Sequence, residues 1–128
     1  MADRRAGVGE QSRYPAGVEH EGAKALSLIK WHEEDGRVQL GLPSDLDLPM
    51  ASPLVESLRH GLAVGQDLEI LADGVERIST ASIQALLAAS RHAQDHGQGF
   101  AIVAPSEYLR EACRDLGVAN WLEEWSRA

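Results

Sequence analysis

The stretch Leu68–Ala89, LEILADGVERISTASIQALLAA, decides the fold, because its hydrophobic period changes from that of a strand to that of a helix. Leu68, Ile70 and Leu71 form a short apolar run that reads as a strand. A connector of mixed polarity follows from Asp73 to Arg77, and Ile83, Leu86, Leu87 and Ser90 then recur at helical spacing. The change falls across Ile78 to Ser82. There Ser79 and Thr80 are both good helix N-caps, since either hydroxyl can accept from the free amides of the first turn. Neither begins a capping box, because the residues three further on are Ser82 and Ile83. The free amides and the helix dipole also favour an anion, so a phosphate on Thr80 would be held at its own helix terminus or offered to a partner's arginines. No His or Lys lies near Thr80 to act as its base and no Gly-rich loop precedes it, so the junction suits a cap or a reversible mark better than catalysis.

Working outward, the helix is expected from about Thr80 to His96, with Gly97 and Gly99 stopping it before a strand at Phe100 to Val103. Pro105 and Ser106 start another helix, whose Leu109, Ala112, Cys113 and Leu116 share one face and which Gly117 closes. Val118 either adds a short strand or begins the last turn, in which Trp121, Leu122 and Trp125 form an apolar cluster. Upstream, SDLDLPMASPLVESLRHGLAVG begins at Ser44 with turn residues and continues with Leu54, Val55, Leu58 and Leu62 on one helix face. Pro53 falls in its first turn, where a missing amide costs nothing, and Gly61 or Gly65 ends it. Before that, runs from Lys24 to Trp31 and from Gly36 to Leu42 flank HEEDG and read as a hairpin turning at Asp35-Gly36. This alternation predicts an α/β fold: a mixed sheet of four to five strands, its later crossovers parallel, with helices packed mainly on one face.

The full chain has 128 residues, 44% of them hydrophobic and a quarter charged, which suits one globular domain. Residues 1–23 hold three Arg, four acidic residues, four Gly and a Pro with almost no large aliphatics, and are expected to be a mobile tail before a single domain over 24–128. A net charge of −8 argues against nucleic acid, which needs clustered cations. The single cysteine, Cys113, cannot close an internal disulfide. No run approaches the roughly 20 apolar residues of a membrane span, and the charged start lacks a signal-peptide core. A cytoplasmic protein is the expectation.

The element order, the small-residue turn Ile78-Ser79-Thr80-Ala81-Ser82 and the Leu/Ala-rich helix after it resemble the STAS domain (sulfate transporter and anti-sigma factor antagonist), over about Lys24 to Trp125. In that family the turn typically reads Ile/Phe-Asp-Ser-Ser-Gly, so the family's Asp is Ser79 here, its second Ser is Ala81 and its Gly is Ser82. Thr80 falls on the hydroxyl position that, in stand-alone members, a partner kinase and anti-sigma factor phosphorylates to control binding. The resemblance implies a non-enzymatic regulatory module that docks on a protein through Ser79, Thr80, Ala81, Ser82 and Gln84, with Thr80 as phosphoacceptor and no cofactor. LPSDLDLPMASPL at Leu42–Leu54 and ISTASIQALLAA at Ile78–Ala89 also look like small STAS proteins of chemotaxis and signalling operons. The alternative it implies is a constitutive accessory subunit of a chemotaxis complex or a lipid/ABC transporter, without phosphorylation.

Other groups carry plainer readings. His92 and His96 stand four apart with Asp95 beside them, a spacing that can share a metal, yet the apolar face runs elsewhere and no third ligand is identifiable; they read as a surface pair. Asp45 and Asp47 could bind a cation but read as turn and cap residues before a helix, Cys113 as a small buried hydrophobe, and Trp121 with Trp125 as core packing, with a partner or dimer contact as the alternative. No paired acid and base or nucleophile constellation is present, so no enzyme is expected.

Overall fold

In the computed structural model, residues 28–128 are described. The chain runs β1 (Lys30–Glu34), β2 (Arg37–Gly41), β3 (Asp45–Leu46), a 3-10 turn (Leu48–Met50), α1 (Ala51–Val64), β4 (Asp67–Leu71), β5 (Arg77–Ile78), α2 (Thr80–Asp95), β6 (Phe100–Val103), α3 (Glu107–Asp115), α4 (Ala119–Trp125) and β7 (Ser126–Arg127). β1 and β2 form the expected hairpin, with Glu34 opposite Arg37. Asp35 and Gly36 have φ of 52° and 78°, the left-handed pair with which a two-residue turn matches the right-handed twist of its strands. That economy corrects the expected boundary. His32, Glu33 and Glu34 belong to β1 and not to the loop, because the turn needs only two residues. Residues 24–27 of the expected first strand, and the expected tail over residues 1–23, lie outside the described residues.

Among the described residues the main sheet has five strands in the order β1-β2-β4-β6-β7, antiparallel only at the hairpin. Each parallel step is bridged by helix, as parallel pairing requires. Val38, Leu40, Leu68, Ile70, Phe100 and Ile102 alternate along three neighbouring strands and are buried in one cluster with Leu54 and Leu58 of α1, Ile83 and Leu86 of α2, Leu109 of α3 and Leu122 of α4. The helices therefore cover one face of the sheet, as the strand period of two demands. α1 approaches β4 closely at Gly61, where an added Cβ would lie 2.9 Å from Leu68 Cδ1. Gly65, at φ 82°, ends that helix.

Three details differ from the sequence reading. The last strand, β7, lies beyond α4 and was not expected, whereas Val118, the residue preceding that helix, begins the last turn as one of its two readings has it. Leu116 is 42% exposed and does not join the buried face of α3, because it follows the final helical residue Asp115 and the chain turns at Gly117 with φ 79°. A second, two-stranded parallel sheet joins β3 to β5; strands of two residues are too short to carry any periodicity.

On the sheet face away from the helices, Glu69 of β4 is charged and buried. Its carboxylate accepts from Gln39 Nε2 at 2.8 Å and from Arg37 Nη1 at 3.3 Å, and is paired with Arg127 of β7. The hydrogen bond from Gln39 leads in holding its pKa below the ordinary glutamate range; burial opposes, and Arg127 and Arg37 add to the lowering. The last strand is thus tied by charge to the centre of the sheet.

Candidate functional site

The turn that opens α2 is fixed by the small β3-β5 sheet. The Ser79 amide donates to the Leu46 carbonyl at 3.0 Å, which delivers the chain to the helix start in extended geometry, φ −86° and ψ 160° at Ser79. Ser79 Oγ then accepts from the Ser82 amide at 3.1 Å and contacts Ser82 Oγ at 3.2 Å. Ser82 Oγ donates onward to the Leu46 carbonyl at 3.1 Å. Of the two hydroxyls that compete for the cap in sequence, Ser79 holds it.

Thr80 is consequently the first helical residue, exposed, and its hydroxyl has no hydrogen-bond partner among the described residues. Gln84 is also exposed, while Ser79 and Ala81 are half-buried. Ser82 is the exception within the expected set: it is fully buried, and its hydroxyl is used internally. The surface of this turn is therefore made by Thr80 and Gln84 with the edges of Ser79 and Ala81, and Ser82 holds it from beneath.

Asp45 and Asp47 act as turn residues. Asp45 Oδ1 accepts from the Asp47 amide at 3.0 Å, and Asp47 Oδ1 caps the 3-10 turn by accepting from the Leu48 amide at 2.9 Å. Asp47 also pairs with Arg77 Nη2 at 2.5 Å. The Leu48 amide, more than Arg77, holds the Asp47 carboxyl below the ordinary aspartate range. The pair joins the strand before Ser79 to the turn before α1, 30 positions apart, so nothing local in sequence announces it. Leu48, in the same 3-10 turn, is 65% exposed.

The remaining candidates take structural places. His92 and His96 are exposed and stack with ring centres 4.1 Å apart, and His96 Nδ1 donates to the His92 carbonyl at 2.8 Å. No group of three or more His, Cys, Asp or Glu side chains able to hold a metal occurs among the described residues. Cys113 is fully buried, which pushes its thiol pKa up. Trp125 packs edge-on against Phe100 with centroids 5.7 Å apart, and Trp121 Nε1 donates to Ser90 Oγ at 3.0 Å. Among the described residues no helix is long and apolar enough to cross a membrane.

Comparison with known proteins follows the same lines. Solved structures share the fold: the anti-sigma factor antagonist SpoIIAA in its unphosphorylated form has a TM-score of 0.63 at 12% identity, over 77% of this chain and 85% of that one. An anti-sigma-factor antagonist (STAS) domain protein from Planctomyces limnophilus has a TM-score of 0.63 at 22% identity, over 78% of this chain and 87% of that one. The Bacillus cell fate determinant SpoIIAA in its phosphorylated form has a TM-score of 0.59 at 14% identity, over 77% and 88%. No curated protein sequence matches the chain. The family model described as "Mlab, STAS domain" matches residues 29–124, and the chain therefore belongs to the STAS domain family.

Proposed function

We propose that this protein is a non-enzymatic regulatory module that docks onto a protein partner through the turn at Thr80 and the exposed side of α2, and that phosphorylation of Thr80 releases it. The observation that carries the reading is the division of labour at the helix start. Ser79 satisfies the first-turn amide and Ser82 anchors the turn from below, which leaves Thr80 exposed with its hydroxyl free of any structural duty. A hydroxyl so placed can be modified without unmaking the fold. SpoIIAA, which has the same fold, is known in phosphorylated and unphosphorylated forms.

A phosphate adds about two negative charges and three acceptor oxygens. On free protein it sits at the positive end of α2 and is tolerated. Against a partner the same charge must be desolvated, so the complex is weakened. A second reading, constitutive docking as an accessory subunit of a signalling or transporter complex, is favoured by Ser79 standing where the family motif has an acidic residue. Affinity purification of the tagged chain from its native cell, followed by mass spectrometry, separates them. The switch predicts a protein partner bound to unmodified chain and a phosphate on Thr80 in the unbound fraction. A partner bound with no phosphate in either fraction supports the accessory subunit, and no partner at all refutes docking.

A further inference from the structure

We propose that the groove between α1 and α2 receives a large apolar side chain of the docking partner together with an adjacent carboxylate, which Arg59 binds. The proposal rests on the docking reading and names the chemistry of the partner. The groove has a volume of about 230 Å³, walled by Val55, Leu58 and Leu62 of α1 and by Ala85, Ala88 and Ala89 of α2. It exists because α2 presents alanines where α1 presents branched residues, so the two helices do not fill the space between them. For scale, a cavity of about 150 Å³ lined by apolar residues holds a benzene ring. One leucine-, methionine- or phenylalanine-sized group therefore fits, and a long segment does not.

The rim supplies the polar half. Arg59 of α1 and His92 of α2 stand at the groove. Arg59 has no acidic partner among the described residues, on a chain whose net charge is −8. The guanidinium is thus available for a bidentate bond to a carboxylate. The groove also adjoins the proposed docking surface, since its Ala88 is exposed and stands one turn along α2 from the exposed Gln84. An anchor of this kind, apolar in a pocket with a satisfied charge beside it, is how a few residues come to dominate an interface.

Two arms test the groove and its occupant separately. In the first, 3-phenylpropionate, 3-phenylpropan-1-ol and 3-phenylpropylamine are titrated into the isotope-labelled full chain and followed by amide shifts. The carboxylate should shift Ala85, Ala88 and Ala89 saturably and bind at least tenfold tighter than the amine. Ala88→Leu, a change at an exposed helical position that circular dichroism should show to be folded, should abolish saturation. Arg59→Gln should erase the preference for the acid. No saturable shift, or equal affinity for acid and amine, overturns the proposal. In the second arm, Ala88→Leu should lower the partner co-purified from the native cell at least tenfold. If the probe binds while Ala88→Leu retains the partner in full, the groove serves a free carboxylate and the assignment to a partner side chain is wrong. If wild type retrieves no partner, the docking reading fails and takes that assignment with it, whereas the titration still reports on the groove.

Discussion

Replacing Ser79 with Ala removes the hydroxyl that accepts from the Ser82 amide at 3.1 Å and contacts Ser82 Oγ at 3.2 Å. Loss of an N-cap costs about 1 kcal/mol, within a range of roughly 0.5–2. Ser82 is buried, so its amide is left without its side-chain acceptor where water is scarce, which places the cost in the upper half of that range. A value of about 1–2 kcal/mol follows. In a domain of about 100 residues each kcal/mol moves the melting temperature by roughly 4–8 °C, an effect well above error. Thr80→Ala removes only an exposed, unpaired hydroxyl and installs the best helix former at the first helical position, so its effect should stay within about 0.5 kcal/mol. Urea unfolding followed by tryptophan fluorescence and by far-ultraviolet circular dichroism measures both variants. A second check is the Ser79→Ala/Ser82→Ala double variant, which should cost less than the sum of the singles because the two hydroxyls share one network. Thr80→Ala costing as much as Ser79→Ala would refute the reasoning: Thr80 would then be a structural cap, unfit for a removable mark.

Leu86→Ala, at a fully buried position of α2, should cost about 2–5 kcal/mol in the same urea assay, since it leaves a cavity between helix and sheet. Glu69 has a lowered native pKa, so its contribution to stability is present above the unfolded-state value and lost as pH falls through the native one. Stability measured between neutral and acid pH should therefore decline through and below the glutamate range, and Glu69→Gln should flatten that limb. Cys113, buried and with a raised pKa, should resist a thiol-labelling disulfide reagent in the native protein and react at the global unfolding rate; rapid labelling without denaturant would contradict its burial.

The elements with strong period or strong punctuation were legible in the sequence. The α2 pattern through Ile83 and Leu86, the strand Phe100–Val103, the Asp35-Gly36 turn and the αL glycine after α1 each rest on interactions between near neighbours. What was not legible depends on distant contacts. β3 and β5 are each two residues long and exist because they pair with one another, and β7 is held by its register on β6 and by Arg127 reaching Glu69 across the sheet. At the site, local sequence offered both Ser79 and Thr80 as caps. The choice falls to Ser79 because the Leu46 carbonyl, 36 positions before Ser82, fixes the turn. The same distant contact buries Ser82, which the family resemblance had implied as a docking residue.

The central claim is that a partner binds over the Thr80 turn and that charge there expels it. Once the native partner is purified, calorimetry should compare its affinity for wild type, Thr80→Ala and Thr80→Glu, all confirmed as folded. The account predicts that Thr80→Ala binds within about twofold of wild type and that Thr80→Glu binds at least tenfold more weakly, a difference of about 1.4 kcal/mol. Equal affinity for wild type and Thr80→Glu would contradict it.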